Sequence, residues 1–162
     1  MLIEHQFGPV FDSRSEILIL GSFPSVRSRA QGFYYGHPQN RFWPLMARLF
    51  GDDPGRTPES RRAFALRNRI ALWDVAERCE IRGSSDSSIR DVTPTDLSRI
   101  LDACRIRRVF LNGGTAFWLF EKYQMGPAVP PAVRLPSTSP ANAAWSLDRL
   151  LEAWQVIRMP DA

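Results

Sequence analysis

The sequence predicts an α/β fold, a three-layer α/β/α sandwich built on a central, mainly parallel sheet of four strands. Two observations carry that expectation. Four short apolar runs alternate with stretches of helical character, and strands that alternate with helices favour a parallel sheet covered on both faces. The clearest run is also continuously apolar, as in a strand buried on both faces.

Ile17-Leu18-Ile19-Leu20 is the first strand and ends at Gly21. A loop rich in Gly, Ser and aromatics follows, to about Asn40. Phe42 to Phe50 fits a helix closed by Gly51. Residues 52–60 carry Pro54, Gly55 and Pro58 and read as a surface connection. Residues 61–67 read as a basic helix. Ile70-Ala71-Leu72-Trp73 is the second strand, and Gly83-Ser84-Ser85-Asp86-Ser87-Ser88 is a polar loop. Thr93 and Pro94 look like the N-cap and first position of a helix with Leu97, Ile100 and Leu101 on one face. Arg108-Val109-Phe110-Leu111 is the third strand, stopped by Asn112-Gly113-Gly114. A helix over 115–123 follows. Val133-Arg134-Leu135 is the fourth strand, and 139–155 reads as the last long helix.

A chain of 162 residues suggests one domain, 1–162, with one core. Its 44% hydrophobic and 23% charged residues are those of a soluble globular protein. The net charge of +4 alone does not identify a nucleic-acid binder. Lys122 is the only lysine, so the positive charge is nearly all arginine. Arginine is the better fork for phosphate oxygens, although genome composition explains such usage equally well. Two isolated cysteines, Cys79 and Cys104, make no disulfide framework or cluster site. The two histidines, His5 and His37, stand far apart, so no metal and no cofactor is expected. No signal peptide and no membrane span is apparent, which makes the cytoplasm the expected compartment. Nothing signals an oligomer, and a monomer is expected.

In open α/β sheets the ligand crevice lies beyond the carboxyl ends of the strands. That rule points to residues 21–40, to Trp73-Asp74 and to residues 136–142. Gly21-Ser22-Phe23-Pro24-Ser25 follows the first strand, where a glycine permits close approach and backbone N–H groups can meet a phosphate. It is equally an ordinary turn. It is neither a dinucleotide fingerprint nor a Walker A loop. Leu135-Pro136-Ser137-Thr138-Ser139-Pro140 sets three hydroxyls after a strand, suited to phosphate oxygens. Plain helix capping by Ser139 ahead of Pro140 explains it as well. In Gly32-Phe33-Tyr34-Tyr35-Gly36-His37-Pro38-Gln39-Asn40-Arg41-Phe42-Trp43, a lone His37 is more often structural than catalytic, and Phe42 and Trp43 look like helix core.

Taken whole, that string resembles a stretch of the mismatch-specific uracil- and thymine-DNA glycosylases, including their His-Pro-x-Asn-x-Phe-Trp pattern. The fuller resemblance is to the hypoxanthine-DNA (deoxyinosine) glycosylases of the uracil-DNA glycosylase superfamily. It rests on Gly21-Ser22-Phe23-Pro24, on residues 35–43, on Ala71-Leu72-Trp73-Asp74-Val75, on Gly83-Ser84-Ser85-Asp86 and on residues 135–142, in that order along nearly the whole chain.

The resemblance implies removal of deaminated bases from DNA, hypoxanthine first and uracil as a further substrate, leaving an abasic site. Such an enzyme flips the base from the stack at a cost of roughly a few kcal/mol. Most of the superfamily carries an Asp or Asn in the first motif to position water; here Phe23 stands in that kind of place and cannot do so. The matching amide is Asn40, which the resemblance implies orients the attacking water. Capping of the helix near Arg41 is the plain alternative. Tyr35 matches the aromatic that stacks on the flipped base, with Phe23 competing for that role. Asp74 matches a base-reading position, where a carboxylate can accept from the ring N–H of hypoxanthine; a strand-end cap is the equal alternative. Asp86 and its serines belong to the same mouth. Gly21, Ser22, Pro24 and Ser25, with Ser137, Thr138 and Ser139 of the second motif, are expected near the DNA backbone. Where relatives carry a histidine in that second motif, this chain has Leu135 nearby and no histidine.

Glycosylases that also nick the strand use an amine to form a Schiff base. Lys122 is expected on a covering helix away from the site, so no strand nicking is expected. Three other readings fit the same residues. One is a uracil or mismatch enzyme with little preference for hypoxanthine. Another is a noncatalytic DNA-damage-binding module, and the weakest is a nucleotide hydrolase.

Overall fold

The computed structural model describes residues 2–4, 7–23, 32–80 and 90–158, with 2–4 and 90 described by backbone alone. Pro24, Ser25 and the loop around Asp86 lie outside the described residues.

Four strands form a parallel sheet: β2 (Ile17–Gly21), β3 (Ile70–Asp74), β6 (Arg108–Asn112) and β7 (Ala132–Leu135), in the order β3-β2-β6-β7. All five residues of β3 are buried, as are Leu18 to Gly21 of β2. That explains the continuous apolar runs, because a strand covered on both faces has no solvent side to alternate with. Helices flank the sheet: α1 (Phe42–Phe50) and α2 (Pro58–Arg67) between β2 and β3, α3 (Ser98–Leu101) before β6, α4 (Gly114–Tyr123) between β6 and β7, and α5 (Leu147–Trp154) after β7. The predicted α/β sandwich is the fold observed.

The strand order fixes where a ligand can bind. From β2 the chain crosses to β3 on one side, then returns to β6 on the other. Right-handed crossovers therefore send α1 and α2 to one face and α4 to the opposite face. The crevice of such a sheet opens where the order reverses, between β2 and β6. Across that edge the register aligns Asp74, Gly21, Asn112 and Leu135 side by side, through the pairs Gly21–Asp74, Leu20–Leu111 and Asn112–Leu135.

Local signals account for the helix ends. Gly51 closes α1 in the left-handed conformation, φ 59°. Thr57 and Ser60 make a reciprocal capping box ahead of α2, which starts at Pro58 inside the stretch read as a connection. One apolar cluster joins α1, the sheet, α4 and α5, with Trp73, Trp154, Phe42, Phe64, Phe110 and Phe120 among its fully buried members.

Three expectations need correction. A second sheet, antiparallel, is formed by β1 (Leu2–Glu4), β4 (Ala76–Glu80) and β5 (Arg90–Pro94) in the order β1-β4-β5. Thr93 and Pro94 thus end a strand and do not start a helix. β5 is an edge strand, where a proline's missing N–H costs nothing. The next residue, Thr95, is buried and donates its hydroxyl to the Asp74 carbonyl at 2.8 Å, fixing the point where the chain passes from one sheet to the other. The last helix begins at Leu147, eight residues after Ser139, with Ser146 as its N-cap. Residues 139–145 form turns instead, because their carbonyls are engaged elsewhere. No helix among the described residues is long and apolar enough to cross a membrane.

Candidate active site

The site is assembled at the carboxyl edge of the sheet from three segments. The first is the end of β2. Gly21 is required there by space: a Cβ on it would collide with Asp74 Oδ1 and stand 3.2 Å from the Tyr35 hydroxyl. Two neighbouring strand ends and an aromatic from the following loop therefore converge on one backbone atom. Asp74 is 3% exposed.

The second segment, residues 32–41, is held by aromatic packing. Tyr34 is buried and donates to the Gly8 carbonyl at 2.8 Å, while Trp43 donates its indole N–H to the Tyr34 carbonyl at 2.9 Å. Phe33 stacks on Trp43 and Phe42 meets Trp43 edge-on. This frame turns Tyr35 toward the sheet with φ 55°, a conformation costing a bulky residue roughly 1–3 kcal/mol and typical of functional sites. The Tyr35 ring stacks on Phe42 with centroids 4.0 Å apart and planes at 23°. One face is thereby covered, and only the other can receive a base. Burial first, and then the Asp74 carboxylate, push the Tyr35 hydroxyl far above the ordinary range for a phenol, partly offset by the nearby Asn112 amide. The hydroxyl stays protonated. Its oxygen is buried without a partner of full hydrogen-bond geometry.

Asn40 sits at the end of this segment. Its Oδ1 accepts from the Phe42 N–H at 2.9 Å in a turn that leads into α1, while the N-cap position itself falls on Arg41, which makes no side-chain cap bond, so the expected capping by Asn40 is replaced by a bond one step ahead of the cap. That bond also fixes the amide in place. A carbonyl oxygen has two lone pairs, and one is left for another donor. His37 has a local task, accepting from the Gln39 N–H through Nδ1 at 3.0 Å.

The third segment, residues 136–145, is held by polar contacts. Asn112 and Thr138 bond reciprocally: the Asn112 amide donates to Thr138 Oγ1, and the Thr138 N–H donates to Asn112 Oδ1, both at 3.0 Å. Thr138 is fully buried. That corrects its expected place at the DNA backbone: its hydroxyl is turned inward and anchors the loop to β6. Ser137 and Ser139 are half-buried and remain at the surface. Their oxygens accept from the N–H groups of Ser139 and Ala141, which leaves each hydroxyl hydrogen to donate. Both line a crevice of about 520 Å³ with Arg134, Asn142 and Trp145, at the start of α4 where Gly114 lies.

Phe23 and Ser22 continue the chain from Gly21 against the antiparallel sheet. Phe23 is 8% exposed and packs with Ala76 and Cys79 under the antiparallel sheet. Its contacts are those of a core residue, as its loss of polarity in the first motif allows. Ser22 is buried, and its carbonyl accepts from the Ala76 N–H.

Two residues escaped the sequence reading. Asn112 read only as a strand stop, and Arg41 only as a helix start. The signal for Asn112 was its place after a buried strand at the predicted crevice. Nothing local marked Arg41, because its partners lie about a hundred positions away.

Comparison with known proteins gives the family and agrees with the fold. Residues 8–158 match the model of the uracil DNA glycosylase superfamily. A protein of Methanosarcina acetivorans named hypoxanthine DNA glycosylase is 35% identical over 158 residues, covering 96% of this chain and 98% of that protein. A protein of Methanosarcina barkeri with the same name is 40% identical over 109 residues, covering 66% and 69%. A solution NMR structure from Methanosarcina acetivorans, described as a candidate uracil DNA glycosylase, superposes with a TM-score of 0.81 at 35% identity over 97% of this chain and 96% of that one.

Proposed function

The chain belongs to the uracil-DNA glycosylase superfamily, and on that premise we propose that it is a monofunctional DNA glycosylase that hydrolyses the N-glycosidic bond of deoxyinosine, releasing hypoxanthine and leaving an abasic site. The observation that carries the proposal is the meeting of Asp74, Gly21 and Tyr35 at the switch point of the sheet. A flipped purine entering there finds a buried carboxylate to accept its ring N–H and an aromatic face to lie against. Base–aromatic stacking of this kind is worth ~1–3 kcal/mol.

Asn40 acts at the sugar. Its amide, fixed by the bond to Phe42, uses the remaining lone pair of Oδ1 to orient the water that attacks the anomeric carbon. The bond to the base breaks as the new carbon–oxygen bond forms, the base leaves with its electron pair, the attacking water gives up a proton to solvent, and the base anion takes one from solvent to become neutral hypoxanthine. The bond to Phe42 and catalysis are compatible because one lone pair serves each. Gly21 allows the nucleotide to approach the backbone, and Ser137 and Ser139 donate to phosphates of the flipped strand. Pro24 and Ser25 belong with these groups in the proposal.

Lys122 supports hydrolysis without strand nicking. It lies in the last turn of α4, roughly 12 Å along the helix from Gly114. Its ammonium rests over the rings of Trp118 and Tyr123. The active unit is read as one domain spanning the chain, acting as a monomer on DNA.

The test is base release from duplexes carrying deoxyinosine, deoxyuridine or mismatched thymine. Free hypoxanthine, with backbone cleavage appearing only after alkali, is the expected result. Release of uracil or thymine in preference to hypoxanthine would identify a uracil or mismatch enzyme. Salt-dependent binding without release of any base would identify a noncatalytic module. Covalent trapping by borohydride would overturn the monofunctional reading.

A further inference from the structure

We infer that Arg41 is a positioning residue for base excision, one that locks the DNA-gripping loop and the water-orienting amide into a single frame. The inference rests on the proposed roles of Asn40 and of Ser137 and Ser139.

Arg41 is half-buried and directs its guanidinium into residues 138–145. Nε donates to the Thr138 carbonyl at 3.4 Å, and one terminal nitrogen donates to the carbonyls of Ser139 at 2.9 Å and Asn142 at 3.1 Å. The other terminal nitrogen donates to the Trp145 carbonyl. The Arg41 backbone N–H adds a bond to the Thr138 carbonyl at 3.1 Å. One residue thus holds four carbonyls of a loop that contains no helix or strand. The planar five-donor fork suits this arrangement, and a lysine ammonium cannot reach four diverging carbonyls at once.

The position of Arg41 gives this brace a meaning for catalysis. It directly follows Asn40 and directly precedes Phe42, whose N–H holds the Asn40 amide. The loop it braces carries the hydroxyls facing the crevice. Water and strand are therefore registered through a single side chain. No carboxylate lies within ion-pair distance of Arg41 among the described residues. Among the described residues its charge is met by carbonyl dipoles, and it lies directly behind a loop proposed to meet phosphates. Misplacement of reacting groups by about 1 Å can cost roughly 100-fold in rate.

The experiment is single-turnover excision of hypoxanthine at saturating protein, reading the rate constant separately from the amplitude. With protein in excess the duplex sets the amplitude, so a variant that merely unfolds in part keeps the rate constant once enough protein is added to saturate, and only the concentration needed for saturation rises. A variant with a misregistered site loses rate constant at full amplitude. Arg41→Ala is expected to lower the rate constant by about 100-fold with near-full amplitude. Arg41→Lys, which keeps the charge, is expected to recover less than about a tenth of the wild-type rate constant. An unchanged rate constant in Arg41→Ala, or full recovery in Arg41→Lys, overturns the inference. If Arg41→Ala does not fold, Arg41→Lys alone decides by the same criterion. Asn40→Ala run in parallel separates the two readings. Full activity there with a slow Arg41→Ala removes Asn40 from the water-orienting role and leaves Arg41 as the brace of the loop. An inactive Asn40→Ala beside a fully active Arg41→Ala removes the inference and leaves the Asn40 reading.

Discussion

The two segments that lie beyond the carboxyl edge of the sheet are held by different means. Residues 32–43 are fixed by ring packing, with Phe33, Tyr34, Phe42 and Trp43 locked against one another and against Phe7, Phe64 and Trp154. Residues 136–145 are fixed by directed hydrogen bonds from Arg41, Asn112, Asn142 and Trp154. Ring packing is less directional than hydrogen bonding, so it can hold Tyr35 in a strained backbone while its hydroxyl has no partner of full hydrogen-bond geometry among the described residues. A lattice of donors on carbonyls fixes position and orientation together. In the proposed enzyme the base side is therefore a shaped apolar wall, and the strand side is a rigid polar rim. Flat aromatic bases suit the first, and phosphate oxygens at fixed spacing suit the second.

That contrast can be broken most forcefully at Phe42, which is fully buried beneath Tyr35. Phe42→Ala is expected to cost about 3–5 kcal/mol of stability, read by denaturant unfolding. It should also weaken binding to a duplex containing deoxyinosine, because the stacking wall loses its backing. A cost below about 1 kcal/mol would mean that ring packing does not hold this segment. On the polar side, Thr138→Val keeps the shape but leaves the Asn112 amide facing a methyl group. The expected cost is about 1–3 kcal/mol, and an unchanged midpoint would show that the lattice contributes little. The smallest effect is expected for Tyr35→Phe. It removes an oxygen buried without a full hydrogen bond, so stability should stay within about 1 kcal/mol or rise. A loss well beyond that would show that the hydroxyl is satisfied in the folded protein.

The same contrast explains what could be read in the sequence. Ile70 to Trp73 and Phe110 to Leu111 announce buried strands because burial on both faces leaves an unbroken apolar run. Gly51 announces a helix end because only a left-handed residue fits there. The antiparallel sheet was not legible, since Glu77, Arg78 and Glu80 break its apolar pattern. The start of the last helix was misread because Ser139 and Pro140 carry every local mark of a cap. The carbonyls that would continue a helix from there are held by Arg41 instead, a long-range contact with no local signature. Tyr35, Asp74 and Asn40 were legible as site residues through resemblance. Asn112 and Arg41 were not, because their roles depend on partners brought together only by the fold.

Asn40 is central, since it both braces the turn into α1 and is the proposed water-orienting amide. The most direct measurement is single-turnover release of hypoxanthine by Asn40→Ala, set beside its affinity for the same duplex. The account predicts a rate lower by at least about 100-fold with affinity little changed. Wild-type turnover by Asn40→Ala would contradict it and reduce Asn40 to a brace of that turn.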